Sequence, residues 1–281
     1  MNIFESQLEN RWLLKSILSH TKRNENIADM LKCLKEIFEI HTIEVNDSGE
    51  RVQLHSNTSM EQGLFLQKIF DLIRPEKSIE IGFAYGISTM FILEKHRDIN
   101  SKDQAHLVIE YDNSWGNAAI HNIRKEGLSK YLDIRQDYSD KVLTQLFHQN
   151  HRIQYAYIDT SKQFDVVMQD FYFINKLLDV GGVIIFDDCG GGFPGIQRVA
   201  RFINALPYYK VFEGHNKLKD TTMKKIAETI VSFLVWTVPF KKRLYPTIDF
   251  RTDKQLNLDF YCIAFQKTGT DEREWNWDQP F

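Results

Sequence analysis

Residues 78–88 read Ser78-Ile-Glu-Ile-Gly-Phe-Ala-Tyr-Gly-Ile-Ser88, and this stretch decides the fold. It has an apolar lead-in, an acid at Glu80, glycines at Gly82 and Gly86, and a small hydroxyl residue at Ser88. That is the form of a strand entering a tight turn and then a helix. Gly82 and Gly86 lack a Cβ, so the backbone can turn sharply and approach a ligand closely. The helix expected to start near Gly86 aims its first N–H groups at the turn, which favours an anion such as a carboxylate. The spacing is not Gly-x-Gly-x-x-Gly, so the dinucleotide fingerprint is not met. A nucleoside ligand without phosphates is the expected occupant, contacted by the turn residues Gly82, Ala84, Tyr85 and Gly86.

Outward from this stretch, short apolar runs alternate with longer amphipathic ones. Strands are predicted at 78–81, 107–111, 132–135, 155–158, 183–186, 209–213 and 260–266. Helices are predicted at 60–73, 88–95, 117–126, 141–148, 165–178 and 196–204, with Pro75 stopping the first of them. This alternation predicts an α/β fold of Rossmann-like, doubly wound type, with a mostly parallel seven-stranded sheet. The last strand follows a long connection and is open to an antiparallel placement. Residues 1–55 carry apolar residues at helical spacing and are expected to form helices that pack on the main domain, lid the site or meet a twin subunit. Residues 56–281 form the main domain, with a helical insertion at 214–257 before the last strand.

Composition removes several function classes. The formal net charge of −3 and the lack of a basic stripe argue against nucleic acid. The longest apolar run, 230–240, has about 11 residues and is too short to span a bilayer. Cys33, Cys189 and Cys262 are widely spaced and read as reduced thiols. The mixed, charged start of the chain does not have the pattern of a signal or transit peptide, so a cytoplasmic location is expected. The aromatic tail with Trp275, Trp277 and Phe281 suggests, with the N-terminal helices, a homodimer.

A parallel sheet binds its ligand at the carboxyl ends of its strands. The second strand ends in Glu110-Tyr111-Asp112, where an acid is set to take ribose hydroxyls; Glu110 is the first choice and Asp112 the alternate. The third ends in Asp137-Tyr138-Ser139, placed for an adenine edge. The fourth ends in Asp159-Thr-Ser-Lys162 and the fifth in Asp187-Asp188. Carboxylates gathered there repel unless a cation or proton joins them. Asp159, Asp187 and Asp188 suit Mg²⁺ or Ca²⁺; the competing reading is that each Asp caps a helix. Lys162 is expected to lose proton affinity beside a cation and act as a base, or else to be a surface lysine paired with an Asp.

Glu80-x-Gly82-x-x-x-Gly86 resembles the first motif of class I S-adenosylmethionine-dependent methyltransferases. Thr58-Ser-Met-Glu-Gln-Gly63, Asp159-Thr-Ser-Lys162 and Asp187-Asp188 resemble segments of the catechol and caffeoyl-CoA O-methyltransferase group. Asp159-Thr-Ser-Lys-Gln-Phe164 and Gly181-Gly-Val-Ile-Ile-Phe-Asp-Asp188 are more similar still to methyltransferase family 24. The resemblance covers roughly 56–205 and the final strand. It implies S-adenosylmethionine as cofactor, with Glu80 in the cofactor motif, Ser88 meeting the methionine carboxylate, Glu110 the ribose and Ser139 the adenine. It implies Asp159 and Asp187 as ligands of a divalent ion, with Asp188 where an Asn ligand is common, and Lys162 as base. The expected reaction is O-methylation of a small-molecule hydroxyl acceptor: a sugar, a polyol or a phenol. Two rivals are a metal-independent methyltransferase of the same fold and a nucleoside-binding module without chemistry.

Overall fold

The computed structural model describes residues 31–55, 58–112, 114–190, 192–218, 230 and 249–281. It begins with α1 (Lys32–Ile40), which ends at His41 in the left-handed region, φ 54°. The helical expectation for 1–55 fails beyond that point. Residues 42–53 form an antiparallel hairpin of β1 (Thr42–Glu44) and β2 (Arg51–Gln53). The cause is local: Asn46 Oδ1 accepts the Ser48 N–H (3.1 Å), an Asx turn that reverses the chain between alternating Ile43, Val45, Val52 and Leu54. The helices expected before residue 31 lie outside the described residues.

Helix α2 (Met60–Ile73) starts at Ser59, whose hydroxyl accepts the Gln62 N–H, and ends at left-handed Arg74 before Pro75. Next come β3 (Ser78–Ile81), α3 (Ile87–Asp98), β4 (His106–Ile109) and α4 (Gly116–Lys125). These are followed by β5 (Leu132–Arg135), α5 (Ser139–His148), β6 (Ile153–Ile158), α6 (Phe164–Leu177) and β7 (Leu178–Phe186). Helix α7 (Pro194–Ala205), β8 (Tyr209–Lys217) and β9 (Phe260–Lys267) complete the order. The seven-stranded sheet runs β5-β4-β3-β6-β7-β9-β8, with β9 antiparallel to both neighbours and the other described pairs parallel. The alternation therefore predicted the architecture, and of the placements left open for the last strand the antiparallel one is found. Residues 214–217 belong to β8, not to the insertion. The helix expected over 221–236 lies outside the described residues apart from Ile230, which is helical.

Helices sandwich the sheet. One face packs on α5, α6 and α7 through Ile81, Ile109, Ile158 and Phe186. The other packs on α2 through Tyr155, Tyr157 and Ile185. Beside it, α1, α3 and α4 close over Val108 and Ile43 of the hairpin. Register then positions the site. Ile81 pairs with Ile109 and with Ile158, and Ile158 pairs with Phe186. The next residues, Glu110, Gly82, Asp159 and Asp187, thus form a row across four adjacent strand ends. Three bonds carry the ladder into that row: Gly82 N to Ile109 O (3.0 Å), Asp159 N to Ile81 O (3.0 Å) and Asp187 N to Ile158 O (3.1 Å).

Candidate active site

A cavity of about 410 Å³ opens above this row. Of the residues expected at the site, Gly82, Ala84, Tyr85, Ser88, Glu110, Asp159, Lys162, Asp187 and Asp188 line it. The turn over its floor is as tight as the two glycines suggested. Gly82 has φ 99°, and a Cβ there would lie 2.1 Å from the Asp159 carbonyl oxygen. Gly86 has φ 65° and lies against Phe83 and Ala119. Between them Ala84 takes φ 43°, which L side chains rarely adopt. Glu110 holds this turn: Oε2 accepts the N–H groups of Phe83 (2.9 Å) and Ala84 (3.4 Å), and Oε1 that of Asp112 (2.9 Å).

Glu80 does not reach the cavity. It is wholly buried on the helix-facing side of β3 and accepts from Ser88 Oγ, from Thr89 Oγ1 (2.7 Å) and from His106 Nε2 (3.0 Å). A buried acid needs such partners, and here they pin the first turn of α3 to the strand. The Ser88 hydroxyl is thereby turned to Glu80. Tyr111, Asp137, Tyr138 and Ser139 do not line the cavity either. Tyr111 and Tyr138 are exposed and stack on each other (5.3 Å, 7°). Asp137 accepts Lys141 Nζ (3.0 Å), and Ser139 opens α5. The alternate ribose acid, Asp112, accepts from Ser114.

At the other end of the cavity the acids converge. One carboxylate oxygen from each of Asp159, Asp187 and Asp188 lies within 4.8 Å of the others. Asp188 adopts φ 54°, a conformation Asp tolerates better than most residues. Lys162 Nζ sits 2.8 Å from Asp159 Oδ1 and 2.8 Å from Asp188 Oδ2. Burial raises the pKa of Asp159, and Lys162 opposes the rise. Asp187 is pushed up to about 6 by burial and by the charges of Asp159 and Asp188, against hydrogen bonds from Gln62 and the Asp188 N–H. Burial alone would lower the Lys162 ammonium's pKa, but Asp159 and Asp188 outweigh it and raise it. This corrects the expected fall: two carboxylates hold the proton on. The donor set of hard oxygens fits Mg²⁺ or Ca²⁺.

Sequence reasoning missed Thr58, Gln62, Phe83, Ile87, Trp115 and Tyr261, which also line the cavity. Phe83 and Ile87 lay inside the quoted stretch. Trp115 stacks on Tyr85 (5.3 Å, 24°), and Tyr261 arrives from β9. Gln62 arrives from the first turn of α2, inside the stretch already singled out for its resemblance. All three cysteines are buried free thiols, as expected. Among the described residues, no helix is long and apolar enough to cross a membrane.

Residues 79–189 match a family model described as a methyltransferase domain. No curated protein matches the chain. Among solved structures, an O-methyltransferase from Bacillus cereus in complex with SAH is similar at 21% identity and TM-score 0.51, covering 67% of this chain and 87% of that one. A Klebsiella pneumoniae protein assigned as an O-methyltransferase is similar at 17% identity and TM-score 0.54, covering 68% and 86%. At such identities the likeness speaks for the fold, and that fold is the one built above from strand order and register. The family match spans the glycine turn through the paired acids, so residues 79–189 are similar to a methyltransferase domain.

Proposed function

We propose that the chain is an S-adenosylmethionine-dependent O-methyltransferase for a small hydroxyl acceptor, assisted by a divalent cation at Asp159, Asp187 and Asp188. The observation that carries this reading is the convergence of those carboxylates within 4.8 Å, beside Lys162 and in the same cavity as the glycine turn. S-adenosylmethionine supplies a methyl group on a sulfonium, and a divalent cation supplies the charge that lowers a hydroxyl's pKa. The chain's residues do the rest. Gly82 lets the backbone lie close to the nucleoside, and Glu110 keeps unused lone pairs for ribose hydroxyls beside the N–H groups it already accepts. Asp159, Asp187 and Asp188 are the oxygen donors for the cation. Holding acceptor and methyl donor together in line accounts for most of the rate in such a site.

Lys162 is the only basic side chain among the described lining residues, and we assign its Nζ to the acceptor's proton. While Asp159 and Asp188 hold it as ammonium, it stabilises negative charge on the acceptor oxygen. It takes the proton once those carboxylates are engaged elsewhere. Calorimetric titration with S-adenosylhomocysteine, with and without Mg²⁺, tests the reading. Micromolar binding of the nucleoside and a separate Mg²⁺ signal lost in Asp159→Ala support it; no nucleoside binding in either condition sinks it.

One observation favours a metal-independent variant of the same chemistry. Lys162 already supplies a positive charge 2.8 Å from two of the three acids. Turnover that survives exhaustive chelation would select that variant.

A further inference from the structure

Tyr157 lies on β6, two residues before Asp159, whose N–H continues the ladder just past the strand's end, so strand alternation carries both side chains to one face of the sheet. Its ring is wholly buried against α2, and a buried phenol needs a partner for its hydroxyl. Tyr155, equally buried, finds one in the Leu66 carbonyl (3.2 Å). The core therefore offers a backbone solution for such a group. Tyr157 uses a different one: its hydroxyl donates to Asp187 Oδ2 (3.2 Å) and accepts from Gln62 Nε2 (2.9 Å). The other oxygen of Asp187 accepts the Asp188 N–H (2.8 Å). Gln62 is itself anchored, because its N–H donates to Ser59 Oγ (3.2 Å) at the start of α2. A continuous chain thus runs from a helix cap, through a side-chain amide and a phenol, to one of the acids of the site.

We infer that Tyr157 and Gln62 are positioning residues that fix the aim of Asp187 toward a divalent cation shared with Asp159 and Asp188; this rests on the cation reading above. Hydrogen bonds on both oxygens set the plane of the carboxylate and leave its remaining lone pairs in defined directions. A carboxylate without that support must be ordered when the ion arrives. Outer partners of this kind typically change metal affinity by about 10–100-fold.

The test is Mn²⁺ binding to the full chain, read by electron paramagnetic resonance, for the wild type, Tyr157→Phe, Tyr155→Phe and Gln62→Leu. The expected result is an affinity about 10–100-fold weaker in Tyr157→Phe, with Gln62→Leu weakened in the same direction. Tyr155→Phe, which removes an equally buried hydroxyl that does not touch the acids, should bind as the wild type. Wild-type affinity in Tyr157→Phe, or an equal loss in Tyr155→Phe, overturns the inference. If Tyr157→Phe does not fold, Gln62→Leu decides alone, since its side chain is only half-buried; unchanged Mn²⁺ affinity there overturns it. A wild-type chain that takes up no Mn²⁺ instead overturns the cation reading itself, and this inference with it.

Discussion

Gly82→Ala should damage both stability and the site, and its cost divides into two parts. The first is conformational: at φ 99° an L residue is strained, by about 1–2 kcal/mol for left-handed backbone. The second is steric. The new Cβ would lie 2.1 Å from the Asp159 oxygen and 2.9 Å from its carbonyl carbon, where carbon contacts normally settle at about 3.5–4.0 Å. The obstacle is backbone, so it cannot swing aside as a side chain would. Asp159 N is bonded to Ile81 O just before the clash, so β3 and β6 must part there. Overpacking of this kind costs about 1–3 kcal/mol, giving about 2–5 kcal/mol in total. At about 2 °C per kcal/mol for a chain of this size, Tm should fall by about 4–10 °C. Gly127→Ala is the matched control. Gly127 has φ 70° but nothing within 4 Å of a Cβ, so it carries only the conformational part, about 1–2 kcal/mol. Differential scanning fluorimetry and titration with S-adenosylhomocysteine read both variants. Gly82→Ala should lose the larger share of Tm and at least about tenfold in affinity, about 1.4 kcal/mol, because Asp159 and the turn move together. Gly127→Ala should bind as the wild type. Equal Tm losses in the two variants, or full affinity in Gly82→Ala, would refute the argument from close approach.

Two further outcomes follow from charge. Lys162→Met removes the ammonium that joins Asp159 and Asp188, so it should abolish turnover while leaving S-adenosylhomocysteine binding intact, and it should tighten Mn²⁺ binding because the competing cation is gone; weaker Mn²⁺ binding or retained turnover removes Lys162 from its assigned place. His96 is wholly buried between Ser78 Oγ (2.6 Å) and Ser101 Oγ (2.7 Å), and burial, then the charge of His106, push its pKa down to about 3 from 6.5. The unfolded chain therefore binds the extra proton between pH 6.5 and 3, and stability present above pH 6.5 is lost as pH falls through that window. Asp187 and Asp170, both pushed up to about 6, act in the opposite direction below pH 6, so the measurement is a difference: urea melts of His96→Gln at pH 7 and 5 should show a shallower loss than the wild type, and an equal loss would rule His96 out.

What the sequence made legible was the row of strand-end residues. The apolar runs ending at Ile109, Ile158 and Phe186 pass abruptly into acids and the one ending at Ile81 into a glycine, and a parallel ladder in register converts that one-dimensional feature into spatial proximity of Glu110, Gly82, Asp159 and Asp187. What it hid depended on partners far along the chain. Glu80 looks like a ligand-facing acid until His106, Ser88 and Thr89 are seen to enclose it. Gln62 and Tyr261 reach the cavity from α2 and β9, and no local spacing marks them. Tyr111 and Tyr138 follow strands as expected, yet they stack on each other at the surface. The hairpin at 42–53 did carry a signal, in its alternation and its Asn46–Gly49 turn, but the helical period of the preceding segment masked it. The direction of the Lys162 shift was unreadable because the reading supplied a cation, whereas the folded chain supplies two carboxylates.

The charge balance of the site bears on which variant of the chemistry the chain performs. Three carboxylates face one ammonium in a partly buried cavity. When all are ionised, two negative charges remain uncompensated, and low local dielectric makes that costly. The chain can relieve the imbalance with protons, and the upward shift of Asp187 to about 6 is the expected sign of that tendency. Such a proton costs Asp187 its negative charge, and a second source of positive charge relieves the imbalance without it. One divalent ion matches the deficit, and the hydrogen bonds on both oxygens of Asp187 hold its carboxylate in a fixed plane for it. A sulfonium cofactor in the same cavity brings one positive charge in either route: alone it covers half of the deficit, and with a divalent ion it leaves one positive charge to meet an ionised acceptor oxygen. The metal-free route therefore has to leave one charge unmatched or keep one acid protonated, and the second option ties its rate to pH in the range where Asp187 titrates. The metal-assisted route carries no such requirement, and this difference, more than the count of acids, favours it.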